Sequence, residues 1–192
     1  EHVADLLATL ERFIHEDAAT NSAPVLPPLV KIALVHAQFE TIHPFLDGNG
    51  RIGRLLIAAL MEHWRLLPEP LLYLSAYLKQ HQDAYYRHLS AIRSQGDWEG
   101  WVSFFLEGVA VAASEAERGI VAIASQAATD RRRLLASPKA GPASYRLFEM
   151  LPTMPRFNIE RARQMLDTSF PTANAAVKVL EELGIVAELT GQ

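Results

Sequence analysis

The residues from His43 to Arg54, HPFLDGNGRIGR, combine side chains that can do chemistry with a backbone that a ligand can approach closely. They include one imidazole, one carboxylate, three glycines and two guanidinium groups. An apolar run, LLIAALMEHW, follows directly and predicts a helix. A loop with a base, a metal-type ligand and a bare backbone, leading into a helix N-terminus, can hold a phosphate and move a proton. The loop therefore makes this chain a candidate enzyme.

The imidazole and the carboxylate of the loop have different expected roles. Pro44 biases His43 away from helical angles, so we expect His43 in an extended stretch, with its imidazole exposed and able to accept a proton. Asp47 is a candidate ligand for Mg²⁺, which is often bound by one carboxylate together with substrate phosphates and water. The alternative for Asp47 is a turn-forming role, since Asp-Gly is a common turn pair. Phe45 is expected to be buried under the loop and to anchor it.

The second half of the loop predicts an anion site. Gly48, Asn49 and Gly50 permit left-handed backbone angles and close approach of another group. Their successive N–H groups, reinforced by the positive end of the following helix, predict an anion-binding turn, and an ordinary tight turn is the alternative. Arg51 and Arg54 are expected on one helix face in the first turn, where the helix dipole disfavours cations. Two arginines placed against the local electrostatics favour a polyanion bound between them.

Three common nucleotide and metal motifs are excluded by their context. The segment from Gly48 to Gly53 matches GxGxxG, but a helical pattern precedes it instead of the strand that dinucleotide binding needs. The segment from Asp47 to Ala58 begins like an EF-hand loop but lacks its later ligands and its glycine. No Walker A sequence occurs anywhere in the chain.

Helical patterns flank the loop and account for most of the chain. Apolar residues at three-to-four spacing predict helices over roughly 3–14, 29–40, 50–67, 72–93, 98–135, 144–150, 159–166 and 172–183. Prolines separate the first two helices, and Pro68 and Pro70 are predicted to end the third. Asp97 is the predicted N-cap of the fifth helix, and His36 is interpreted as a packing residue of the second. The residues GIVAEL, 184–189, are predicted to begin a β-strand.

Composition indicates a globular protein without an obvious nucleic-acid or membrane footprint. The 192 residues are 49% hydrophobic and carry a formal net charge of −4. No apolar run approaches the roughly 20 residues that span a bilayer. The absence of cysteine excludes disulfides and thiolate metal sites and suits a reducing cytoplasm, which is the expected location.

The loop sequence HPFLDGNGRIGR matches the signature HxFx(D/E)GNGRxxR, and on these residues the chain resembles the Fic family of the Fic/DOC superfamily. The helical region to about residue 128, with the segments LLYLSAYLKQHQDAYYRHL and GDWEGWVSFFLEGV, looks like the Fic core. The C-terminal segment resembles the winged-helix extension of many bacterial members. The resemblance implies a protein adenylyltransferase, which moves AMP from ATP to a Ser, Thr or Tyr hydroxyl of a target protein and releases pyrophosphate.

Carried onto this chain, the resemblance implies a role for each residue of the loop motif. These roles are His43 as the general base, Asp47 as the Mg²⁺ ligand, Gly48, Asn49 and Gly50 as phosphate-binding amides, Arg51 on the phosphates and the leaving pyrophosphate, and Arg54 on the γ-phosphate. Tyr85 and Tyr86 look like the family's tyrosines near the adenine pocket, and helix packing is the alternative for both.

The predicted fold is mainly α, with a Fic-type helical core over 1–135, a linker over 136–142 and a small winged helix-turn-helix domain over 143–192, truncated before its wing is complete. The family's substrate-aligning flap and inhibitory helix are expected to precede residue 1 and to be missing. Ser103–Gly108 fits the inhibitory pattern (S/T)xxxE(G/N), but it lies within a predicted core helix and is interpreted as a coincidence.

ATP and a protein substrate are the implied partners, without a membrane, and self-modification and a homodimer are further options. One alternative is another nucleotidyl or phosphoryl transfer on the same scaffold, although the GNGR core favours nucleotidyl transfer. The other is a DNA-binding regulator that uses the winged helix. From Pro138 onward six basic residues are offset by six acidic ones, and Lys178 faces Glu181 and Glu182 in the presumed recognition helix. DNA binding by this segment therefore stays an open alternative.

Overall fold

The computed structural model describes residues 2–16, 26–67 and 72–189, and every regular element within these ranges is an α-helix. In chain order the helices are α1 (Val3–His15), α2 (Pro28–Ile42), α3 (Asn49–His63), α4 (Leu74–Gln80), α5 (Gln82–Gln95), α6 (Trp98–Ala136), α7 (Pro142–Met150), α8 (Ile159–Leu166) and α9 (Phe170–Glu182). The predicted mainly α fold is confirmed. In the described part of the chain, no helix is both long and apolar enough to cross a bilayer.

Two predicted helices differ from the observed ones. The helix predicted over 50–67 ends at His63, where Arg65 adopts a left-handed φ of 54° and the Leu66 amide donates to the Met61 carbonyl at 2.9 Å. The helix predicted over 72–93 is divided into α4 and α5, because His81 leaves the helical region with φ −106° and ψ 35°. The prolines predicted to end α3, at 68 and 70, and residues 21–25 of the first loop lie outside the described residues.

Helix α2 is the central helix of the first of two compact units, which comprises residues 1–119. Ile32 and Val35 are fully buried, and α1 and α3 both pack against α2. The buried Trp101 of α6 donates its indole N–H to the Ala33 carbonyl at 2.8 Å, so the largest core side chain leaves no donor unpaired. This packing fixes the orientation of α2, and therefore the position of the loop that begins at His43.

Helix α6 begins at the predicted cap and approaches α4 closely. The Asp97 carboxylate accepts a hydrogen bond from the Gly100 amide at 2.9 Å, as expected of an N-cap. Further along the helix, a Cβ at Gly108 would lie 2.6 Å from Cδ1 of the buried Tyr77. The glycine therefore sets how closely the two helices pack.

The second unit, residues 120–192, contains the end of α6 together with α7, α8 and α9. Its core includes the buried Leu147, Leu166 and Leu180, and Leu134 of α6 packs into the same cluster. The chain therefore divides inside α6 rather than at the predicted 136–142 linker. Residues 137–141 form a turn within the second unit, with the Ala140 amide donating to the Ser137 carbonyl.

The strand predicted at 184–189 is wrong, because these residues form a turn and bends after α9. Gly184 is left-handed with φ 67°, and the Ile185 amide bonds back to the Leu180 carbonyl at 2.9 Å. A strand needs a pairing partner, and the described residues contain no strand that could serve as one. Three helices lie near their predicted positions, and the winged-helix assignment stays a prediction.

We expect Gly108→Ala to destabilise the protein and Gly119→Ala, on the same helix, to stabilise it slightly. A Cβ at position 108 would clash with the Tyr77 ring and force repacking that costs about 1–3 kcal/mol. A Cβ at position 119 would meet nothing within 4 Å, so alanine there should contribute about 0.5–1 kcal/mol through helix propensity. Urea denaturation of both variants measures the two changes. Equal effects at the two positions would contradict the close α4–α6 contact.

Candidate active site

The candidate site begins where α2 ends. His43 is the residue after the last turn, and its amide donates to the Phe39 carbonyl at 3.0 Å. Its backbone is left-handed, with φ 51° and ψ 57°, and not extended as predicted. Pro44 disfavours right-handed helical angles at the preceding residue, and the left-handed region is the alternative used here to end the helix. The side chain is exposed, as predicted.

The loop is closed by the side chain of Asn49, and not by Phe45 as predicted. Asn49 is 2% exposed; its Oδ1 accepts from the Phe45 amide at 2.9 Å, and its Nδ2 donates to the Phe45 carbonyl at 2.6 Å. The Phe45 side chain itself is 47% exposed. The prediction failed because the loop is anchored through its backbone, whose polar groups need partners that an aromatic ring cannot provide. A primary amide within a glycine-rich loop was the sequence signal for this role.

Helix α3 starts directly from the loop without a side-chain cap. Gly48 is the N-cap residue with φ 85°, a conformation that favours glycine, and its carbonyl accepts from the Arg51 amide at 3.0 Å. The Gly48 amide donates to Asp47 Oδ1 at 2.7 Å. In this conformation the amide is therefore not available for the phosphate-binding role predicted for it. The amides of Asn49 and Gly50 begin the first turn, which is the arrangement that binds anions at helix N-termini.

Both arginine side chains turn back toward this first turn. A Cβ at Gly48 would lie 3.3 Å from Nη2 of Arg51, and a Cβ at Gly50 would lie 3.2 Å from Nη1 of Arg54. Arg54 is the sixth residue of α3, so it reaches the loop from the second turn and not from the first as predicted. A cavity of about 420 Å³ opens beside the two arginines and is otherwise lined mainly by apolar side chains of α3 and α4. The two guanidinium groups and the positive end of α3 therefore concentrate positive charge at this turn, which favours a bound anion.

The Asp47 side chain is open to solvent and suits a metal shared with a ligand. It is 94% exposed, and its contact with the 77% exposed Arg51 is long, at 3.5 Å, so the pair contributes little to stability. Among the described residues there is no group of three or more His, Asp or Glu side chains that could hold a metal ion by protein ligands alone. A single exposed carboxylate beside an anion site fits Mg²⁺ that takes its remaining ligands from phosphates and water.

A buried polar cluster of His36, Glu40 and Tyr85 lies behind the loop. His36 Nε2 and the Tyr85 hydroxyl are 3.0 Å apart, and the His36 ring stacks on Trp101 with centroids 5.9 Å apart. Burial lowers the pKa of His36 to about 4 and raises the pKa of the Tyr85 hydroxyl, so both are neutral at pH 7. His36 is buried, as its interpretation as a packing residue predicts.

The two predicted adenine-site tyrosines lie in different environments. Tyr85 is a core residue whose hydroxyl is used by His36, so its predicted contact with a nucleotide does not fit the structure. Tyr86 is exposed, with its ring centroid 5.2 Å from that of Tyr85, and its nucleotide contact stays a prediction.

Glu40 is the site residue that sequence reasoning missed. It lies one turn after His36 on the buried face of α2 and is only 8% exposed. Burial raises the pKa of its carboxyl, and the nearby His43, Arg54 and Arg93 oppose that shift. The available signal was a charged residue at the helical spacing of a buried face, where an acid needs a partner.

The loop lies within the part of the chain that matches a known family. The model of the Fic/DOC family matches residues 1–61, which include the loop. Protein adenylyltransferase Fic of Drosophila grimshawi is 31% identical over 105 residues, 54% of this chain and 20% of that protein. Its Drosophila melanogaster counterpart is 29% identical over 105 residues, 55% of this chain and 19% of that protein. The chain thus spans about a fifth of the length of the curated relatives it matches.

A solved structure extends the likeness beyond the loop. The crystal structure of a Fic family protein from Desulfovibrio desulfuricans G20 matches with a TM-score of 0.53 and 27% identity. The match covers 93% of this chain and 49% of that one.

The buried His36 predicts a specific pH dependence of stability. Its pKa is about 4 when folded and near 6.5 when unfolded, so between these values the unfolded chain binds a proton that the folded protein does not. The free energy of unfolding should therefore fall as pH decreases from about 6.5 toward about 4, by on the order of 2–3 kcal/mol. Urea denaturation at several pH values should show a smaller decrease for His36→Gln. The exposed His63→Gln should keep the wild-type decrease, and an unchanged slope in His36→Gln would contradict the assignment.

Proposed function

We infer that this chain, whose residues 1–61 match the model of the Fic/DOC family, is a protein adenylyltransferase that transfers AMP from ATP to a Ser, Thr or Tyr hydroxyl of a target protein. The observation that carries the proposal is the grouping, in one loop, of an exposed imidazole, an uncapped helix N-terminus, an exposed carboxylate and two guanidinium groups turned toward the same first turn. Proton removal and stabilisation of charge on phosphates are what such a transfer requires. The curated relatives bear the same activity in their names.

His43 is the proposed general base. It accepts the proton of the target hydroxyl as the oxygen attacks the α-phosphorus of ATP; the bond from that phosphorus to the bridging oxygen breaks, and pyrophosphate leaves. Its exposed side chain at the end of α2 supports this role, because a large protein substrate can reach it.

The phosphates are proposed to bind at the first turn of α3. The amides of Asn49 and Gly50 donate to the phosphate oxygens, Arg51 stabilises the leaving pyrophosphate, and Arg54 binds the γ-phosphate. The turned-back guanidinium groups support these assignments, since donors already in place need little reorganisation when charge develops. The Gly48 amide joins them if a metal draws the Asp47 carboxylate away from it.

Asp47 is the proposed protein ligand of Mg²⁺. Bound with the nucleotide, the ion would neutralise charge on the α- and β-phosphates. The exposed carboxylate next to the anion site supports this assignment.

The base assignment predicts that His43→Ala loses transfer by roughly 100-fold or more, the usual contribution of a general base. The assay incubates purified protein and a cell lysate with Mg²⁺ and ATP labelled at the α-phosphate, and mass spectrometry identifies the added group. His63→Ala, the same change at an exposed histidine at the end of α3, should label as the wild type does. Equal labelling by His43→Ala would remove this residue as the base. An added phosphate or a different nucleotide would replace AMP transfer with the alternative chemistry.

The metal assignment predicts that Asp47→Asn needs more Mg²⁺ for half-maximal labelling. Loss of a residue that only supports a metal ligand lowers metal affinity roughly 10- to 100-fold. Because Asp47 is proposed to bind the ion directly, we expect the required Mg²⁺ concentration to rise by at least as much. Asp83→Asn, at an exposed carboxylate of α5, is the matched control and should keep the wild-type requirement. An unchanged Mg²⁺ titration in Asp47→Asn would overturn the assignment.

A further inference from the structure

Two buried polar side-chain atoms in the described part of the chain lack a hydrogen-bond partner, and both face the same point. They are His36 Nδ1 and Glu40 Oε1. A Cβ at Gly53 would lie 2.6 Å from Glu40 Oε1 and 3.2 Å from His36 Nδ1. Since unpaired buried polar atoms are costly and rare, a pair of them converging behind an active-site loop indicates a role beyond packing.

The same carboxylate also approaches the proposed phosphate site. A Cβ at Gly50 would lie 3.9 Å from Glu40 Oε1 and 3.2 Å from Arg54 Nη1. The carboxylate and the guanidinium group therefore both lie near the first turn of α3, where the charge of Arg54 opposes the rise that burial causes in the pKa of Glu40. Arg93 holds the other side of this region by donating to the Glu40 backbone carbonyl at 3.0 Å.

We propose that Glu40 is a positioning residue for Arg54: its buried carboxylate, supported by His36 and Tyr85, orients the guanidinium group toward the terminal phosphate of the nucleotide. The inference rests on the proposed function of the loop. A guanidinium group has five donors in a fixed fork, so one edge can face the carboxylate while the other binds phosphate. The carboxylate remains behind the loop, and the phosphate approaches from solvent.

His36 and Glu40 both lie beside Gly53, and Tyr85 contacts His36. If the Tyr85 hydroxyl donates to His36 Nε2, the neutral imidazole carries its proton on Nδ1, which lies beside Gly53 as Glu40 Oε1 does. The series Tyr85, His36, Glu40 and Arg54 then runs from the core of the first unit to the loop. In this proposal the buried neighbours restrict the Glu40 carboxylate, which is how supporting residues orient a binding group.

Glu40→Gln tests the proposal because it removes the charge and keeps the shape. Calorimetry with ATP and with ADP, each with Mg²⁺, should show roughly tenfold weaker binding of ATP, the lower end of what loss of a supporting partner costs. Binding of ADP should change less than about twofold, because Arg54 is assigned to the phosphate that ADP lacks. The ratio of the two affinities is independent of the folded fraction, so it remains informative if the variant is less stable. Glu62→Gln, at an exposed glutamate of α3, should leave both affinities unchanged.

A second substitution separates positioning from general destabilisation. In an Arg54→Ala background, Glu40→Gln should weaken ATP binding no further, because the group it positions is absent. A further tenfold loss in that background, or equal loss for both nucleotides, would overturn the proposal. So would a shifted pH profile of transfer with unchanged ATP affinity, which would assign Glu40 to His43. Loss of ATP preference in a protein that transfers no AMP would support the positioning role while the proposed function fails.

Discussion

The close contact between α2 and α3 at Gly53 is the constraint on which the candidate site depends. With no Cβ at this position, the Glu40 carboxylate and the His36 ring occupy space that any larger residue would need. This close packing therefore holds the end of α2 near the start of α3, and a short loop connects the two. The loop gains a defined geometry from this rigid pair, as binding loops on stable scaffolds generally do.

The chemistry of the loop could be predicted from sequence because it is local. The loop and the start of α3 contain His43, Arg51 and Arg54. Because these residues are close in the sequence, their spacing nearly determines how close they lie in the structure. Helical periodicity likewise located most elements, since apolar spacing reflects the face that each helix buries. Glu40 could not be interpreted in this way. Its supporting partner Tyr85 is 45 positions further along the chain, and only tertiary packing brings that tyrosine to His36.

The errors arise where another structural requirement outweighs the preference that a residue type or a composition suggests. Phe45 was assigned to the interior for its aromatic ring, yet the loop needed partners for its N–H and C=O groups, and Asn49 supplies both. The composition change at 136–142 marks a turn, because Leu134 just before it already packs in the second core. The apolar residues at 185 and 186 also pack against that core. They do not form a strand, because the described residues contain no strand with which they could pair.

The two hydrogen bonds between Asn49 and Phe45 also affect the chemical stability of the loop. In a flexible chain, an asparagine followed by glycine readily loses ammonia, because the next backbone nitrogen attacks the side-chain carbonyl carbon without obstruction by a Cβ. Here the Asn49 amide is buried and both of its polar atoms are engaged by Phe45. Conversion to a carboxylate would remove the donor to the Phe45 carbonyl and introduce negative charge where phosphates are proposed to bind. The hydrogen bonds that shape the loop are thus also expected to slow the deamidation of Asn49, a covalent change that refolding could not reverse.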